Sequence, residues 1–119
     1  MSLLPEINGV QIEWPSVTLS LTASPSLDYF PGHFPNLPIL PGVVLVDWVI
    51  RLAREHLGIP CTGFSSLRAL KFSAPILPGT VLSLQIIWAP EKQRLEFGYR
   101  DMQRLVSSGQ IVFAAETTA

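Results

Sequence analysis

Between Asp28 and Gly58 the chain passes from a run of prolines into an apolar helix without a polar break, and this stretch limits what the rest can fold into. Pro31, Pro35, Pro38 and Pro41 all fall within DYFPGHFPNLPILPG. Proline fixes φ and has no N–H, so segment 28–41 reads as a stiff, extended loop that is neither helix nor central strand. Pro41 suits the first turn of a helix. From there GVVLVDWVIRLAREHL, residues 42–57, reads as about four turns of helix closed by Gly58, a residue suited to a left-handed cap, with Pro60 beyond.

Val43, Val44, Leu45, Val46, Trp48, Val49, Ile50, Leu52 and Ala53 cover nearly the whole circumference of its first three turns, the pattern of a helix buried in the middle of a domain. Asp47 interrupts the most apolar part, where an ionised carboxylate is costly unless paired, hydrogen-bonded or protonated. His33, on the stiff loop, is the acid–base group nearest to it in sequence apart from the charged end of the helix. The chain therefore sets an Asp in an expected buried helix and a His on the rigid segment that feeds it.

Strands are expected on both sides. Val17–Ala23 alternates apolar and hydroxyl residues, the period of a half-buried strand. Residues 1–16 contain Pro5, Gly9 and Pro15 and read as an irregular N-terminal arm or a short edge strand. After the helix and a turn over Ile59–Gly63, strands are expected at Phe64–Phe72, Thr80–Trp88, Arg94–Arg100 and Leu105–Ala115. Short connections would make these an antiparallel meander over 64–115. The apolar face of such a sheet needs a cover, and the central helix is the candidate. The fold expected is α+β: one domain over residues 1–119, a twisted antiparallel sheet wrapped around one long central helix, the hot-dog arrangement.

Composition narrows the partners. Hydrophobic residues make up 48% of the 119 and charged residues 14%, more apolar surface than a small core absorbs, which favours self-association. A net charge of −1 offers no basic stripe for nucleic acid. The apolar run Val43–Ile50 is far short of the ~20 residues of a membrane span. No secretory signal is visible at the start, so a cytoplasmic location is expected. The lone Cys61 has no partner for an intrachain disulfide, and no Cys/His spacing suggests a metal.

The segment GHFPNLPILPGVVLVD, Gly32–Asp47, resembles the motif of the FabA/FabZ 3-hydroxyacyl-acyl-carrier-protein dehydratases, G-H-F-P-x-x-P-x-x-P-G-V/C with an acid fourteen positions after the His. His33, Pro35, Pro38, Pro41, Gly42 and Asp47 fall in place. Phe72–Gly79, FSAPILPG, is similar to a second family pattern, F-x-x-P-V-x-P-G. The short start and DYFPGHFP look closest to the FabZ-like dehydratases of aryl-polyene clusters. The resemblance implies that His33 takes the α-proton of a 3-hydroxyacyl thioester. Asp47 would handle the β-hydroxyl, by donating a proton or orienting the departing water. Gly42 would supply the backbone N–H that polarises the thioester carbonyl, and the Ile39 carbonyl would hold the histidine ring. It also implies an acyl carrier protein bearing the substrate, no cofactor, and a dimer whose sites take His and acid from different subunits, either a homodimer or a pair with a homologous dehydratase subunit. Elementary chemistry agrees: enolate charge builds on the carbonyl oxygen, and a helix N-terminus offers free N–H groups and about half a positive charge to meet it.

The sequence departs from the family in three places. Asp47 stands where FabZ enzymes carry Glu. Ser73 and Ala74 stand where they often carry basic residues, which leaves Arg51, Arg54, Arg68 or Lys71 to dock an acidic carrier. Arg51 stands where Gln is common, and residues at i and i+4 face each other, so an Arg51–Asp47 pair would favour the carboxylate and weaken it as an acid. Two other functions stay open: a hot-dog thioesterase that activates water with the helix acid, and a non-catalytic acyl-binding or scaffold subunit. Blander roles stay open too: His33 capping a turn, Asp47 as a structural carboxylate, Gly42 chosen for packing. His56 reads as a structural cation at the helix end, Cys61 as inert, and Trp48, Trp88, Phe97 and Tyr99 as core, dimer contacts or the lining of an acyl tunnel.

Overall fold

Strict alternation in TVLSLQIIW and RLEFGYR gives two strands that bury every second residue. Leu82, Leu84, Ile86 and Trp88 are buried from the first, and Leu95, Phe97 and Tyr99 from the second. These are β4 (Val81–Ala89) and β5 (Arg94–Asp101), joined through a short 3-10 turn at Pro90–Lys92. The structure is a computed structural model that describes residues 4–23, 42–59, 64–77 and 79–113. It further contains β1 (Glu6–Glu13), β2 (Ser16–Thr22), α1 (Gly42–Leu57), β3 (Phe64–Phe72) and β6 (Arg104–Phe113). The Pro-rich loop 28–41, with His33 and Ile39, lies outside the described residues. So do Pro60–Gly63, with Cys61, and the expected strand end at Ala114–Ala115.

All strand pairs are antiparallel, in a six-stranded sheet ordered β1-β2-β4-β5-β6-β3. The α+β class and the hot-dog arrangement are as expected, with α1 packed on one face. Its Leu45, Trp48, Val49, Leu52 and Ala53 join Val17, Leu19, Leu21, Leu84, Leu95 and Ile111 in a single core. Gly58 follows the last turn with φ of 64°, and its N–H donates to the Arg54 carbonyl, the left-handed stop expected there.

Three expectations need correction. The meander over 64–115 is incomplete: β4, β5 and β6 follow one another, but β3 pairs with β6 at the far edge and β4 pairs with β2. The segment between β3 and β4 carries Pro75, Pro78 and Gly79, too long and stiff for a hairpin, so the chain crosses over instead. Of the two readings of the N-terminal arm, the irregular one fails and the edge strand holds. β1 is an eight-residue edge strand on β2, with a register shift between Ile7 and Gly9 that hides its alternation. Finally, α1 is not buried all round. Val43 is 74% exposed and Asp47 lies on the same open stripe, so the apolar circumference read from sequence overstates what one chain covers.

Candidate active site

One row of side chains crosses the sheet beneath the start of α1. Leu19 stands opposite Leu84, Leu84 opposite Tyr99, Tyr99 opposite Ser107, and Ser107 opposite Phe72. Directly paired residues share a face, so all five point toward the helix. At the edge of this row Phe72 lies against the helix start: a Cβ built on Gly42 would fall 2.8 Å from Phe72 Cζ. Two strands inward, the Tyr99 hydroxyl donates a 2.6 Å hydrogen bond to the Leu45 carbonyl. The first turn of α1 thus runs from Phe72 on β3 to Tyr99 on β5, with Ser107 of β6 in the row between them. Ser107 is 1% exposed, and its Oγ has no hydrogen-bond partner among the described residues.

Gly42 opens α1, so it presents one of the helix's free N–H groups at the positive end of the dipole. The close Phe72 ring gives a packing reason for glycine there, since a Cβ would have to push the ring aside. Asp47 follows on the open stripe, with 42% of its side chain exposed. The expected pairing along the helix is present, with Arg51 Nε 2.8 Å from Asp47 Oδ2 and half of the Arg51 side chain exposed. An exposed pair of this kind adds little stability, about 0.2–1 kcal/mol, but it engages one carboxylate oxygen.

Of the four residues assigned to the site from sequence, Gly42 and Asp47 lie on one helix with the acid on its open side, while His33 and Ile39 lie outside the described residues. Tyr99 is in the core, as expected, but the sequence reading did not foresee the bond of its hydroxyl to the helix. Burial, and after it the negative charge of Asp47, hold its phenol well above the ordinary value, so the hydroxyl stays a donor. The signal was available in principle. A phenol on the buried side of an alternating strand needs a polar partner. Among the described residues no group of three or more His, Cys, Asp or Glu is placed to hold a metal, and no helix is long and apolar enough to cross a membrane.

Residues 10–110 match the family model described as ApeI-like, ApeI dehydratase. The chain is 37% identical to a chain of the dehydratase heterocomplex ApeI:P from Xenorhabdus doucetiae, with a TM-score of 0.83 over 97% of this chain and 100% of that one. An uncharacterized protein from Erwinia carotovora subsp. atroseptica is 38% identical, with a TM-score of 0.77 over 93% and 96% of the two chains. Among curated relatives, the 3-hydroxyacyl-[acyl-carrier-protein] dehydratase FabZ of Erythrobacter litoralis is 31% identical over 77% of this chain and 64% of its own length. That of Rhizorhabdus wittichii is 36% identical over 55% and 46%. The chain thus spans about half to two thirds of the length of these relatives. With the family model matching most of the chain and the fold shared with the ApeI:P complex, this protein belongs to the ApeI-like dehydratase family.

Proposed function

We propose that the protein removes water from a 3-hydroxyacyl thioester, carried on an acyl carrier protein, to give the trans-2-enoyl thioester in fatty-acid or polyene-type synthesis in the cytoplasm. The observation that carries this reading is the setting of Asp47: a carboxylate on the open side of the apolar first half of the helix, a little over one turn from its free N-terminus. In the proposed reaction the thioester carbonyl rests on the N–H of Gly42, where the helix dipole meets the enolate charge as it forms. The imidazole of His33, held through the Ile39 carbonyl, takes the proton from Cα. The Cβ–O bond breaks, its electrons leave with the oxygen, and Asp47 supplies the proton or orients the departing water. No cofactor is needed for this chemistry. The open stripe of Val43 and Asp47 is where a second subunit would bring its histidine, from an identical chain or a homologous dehydratase.

A different reading is favoured by one contact. Arg51 occupies Oδ2 of Asp47, which suits a non-catalytic subunit that binds the acyl chain beside an active dehydratase. Purified protein incubated with a 3-hydroxyoctanoyl carrier-protein thioester separates the two. Ultraviolet absorbance of the enoyl product supports dehydration, and binding without product supports the scaffold. In Asp47→Asn, turnover is expected to fall by ~10²–10⁴-fold, with stability changed by less than about 1 kcal/mol. A His33→Ala variant that retains full dehydration removes the site assignment.

A further inference from the structure

Tyr99 is 0% exposed on β5, a strand with neighbours on both sides, and its ring is braced edge-on by Phe97, with centroids 5.9 Å apart at 77°. Its hydroxyl crosses to the helix and donates to Leu45 O at 2.6 Å. That carbonyl does not need the bond, because the α-helical pattern already gives it the amide of Val49. Nor does the core need the oxygen, since phenylalanine fills nearly the same volume without burying a polar atom. What the hydroxyl adds is direction. The core contacts between α1 and the sheet are apolar packing, which resists separation of the two layers but defines rotation about the helix axis and sliding along it less sharply. A short bond to a rigid strand fixes both.

Leu45 lies between Gly42 and Asp47, so any roll or slide of this turn moves the oxyanion N–H and the carboxylate together. Displacement of a catalytic group by ~1 Å can cost ~10²-fold in rate. We propose, resting on the dehydratase reading above, that Tyr99 is a positioning residue: its hydroxyl clamps the first turns of α1 to β5 and so sets where Gly42 and Asp47 meet the thioester. Burial and the nearby Asp47 charge keep the phenol protonated, which suits a permanent donor and not a proton shuttle.

The test is Tyr99→Phe in the full chain, assayed with the 3-hydroxyoctanoyl carrier-protein thioester beside Leu95→Val. Leu95 is a fully buried residue on the same face of β5 and loses a methylene without touching the clamp. Tyr99→Phe is expected to lower kcat by about ten-fold with KM within about two-fold, while Tm falls by only a few degrees. Leu95→Val is expected to lose comparable Tm and keep its kcat. A Tyr99→Phe kcat within about two-fold of the parent overturns the inference, as does an equal kcat loss in Leu95→Val, which would mark a general loosening. Parent protein that forms no enoyl product overturns the dehydratase reading itself and this role with it. That result is distinct from a variant that turns over like its parent.

Discussion

On one side of α1, Leu45, Trp48, Val49, Leu52 and Ala53 lie against the sheet with 3% exposure or less. On the other side, Val43, Asp47 and Arg51 succeed one another at four-residue spacing and stand open or half open. The buried side is justified by folding alone, because each residue removes apolar area from water at about 25 cal/mol per Å². The open side is not. An exposed valine beside an ion pair contributes little to the stability of one chain, and in the proposed reaction this stripe is what meets the thioester. Residues that hold the fold and the residues proposed for chemistry thus share a helix but not a face, and the Tyr99 hydroxyl bonds to the helix backbone between them.

The hardest way to break this comparison is from the buried side. Trp48 is the largest fully buried side chain, and Trp48→Ala is expected to cost about 3–5 kcal/mol in urea unfolding. A loss under about 1 kcal/mol would mean this face of α1 is not the core. At the helix start, Gly42→Ala tests where the two faces meet. The new Cβ would fall 2.8 Å from Phe72 Cζ and 2.9 Å from Cε1, but Phe72 is half exposed and its ring can swing outward. Stability is then expected to fall by about 1 kcal/mol at most, the low end for overpacking. Dehydration is expected to fall by about ten-fold, because the displaced ring and the methyl crowd the first N–H groups. Full activity in Gly42→Ala would show that the thioester oxygen does not approach there.

Much of this was legible before any coordinates. The helix bounds followed from Gly42 and Gly58, the bounds of β3 from its flanking turns, and the faces of β4 and β5 from their alternation, because all these signals are local. The place of β3 was not legible. Whether Phe72 pairs toward β4 or toward Ser107 depends on how the proline-bearing crossover runs, a long-range matter that periodicity does not encode. β1 was half legible, since Gly9 breaks its pattern at the register shift. For the site, the spacing of Gly42 and Asp47 was readable, but the exposure of Asp47 was not. Val43 and Ile50 are apolar residues on or beside the open stripe, and counting them as core made the helix look buried on every side. Tyr99 was seen as bulk because its acceptor is a backbone carbonyl, which a sequence does not distinguish from any other.

The smallest expected effect belongs to Arg51, and it sharpens the comparison most. In one chain its pair with Asp47 is half exposed, so screening and side-chain entropy cancel most of the attraction. For a stripe that faces water, Arg51→Gln would therefore shift the free energy of unfolding by less than about 0.5 kcal/mol, with an unchanged denaturant slope. If a second subunit closes over the stripe, the pair is desolvated, and removing one charge strands the other at a cost of about 3–5 kcal/mol. That larger loss would also grow with protein concentration, since binding of a partner stabilises by mass action. Unfolding midpoints of the parent and Arg51→Gln at two protein concentrations therefore distinguish a stripe that faces water from one that faces another chain. A small, concentration-independent shift would place Asp47 in solvent and remove the need for a partner's histidine at this face.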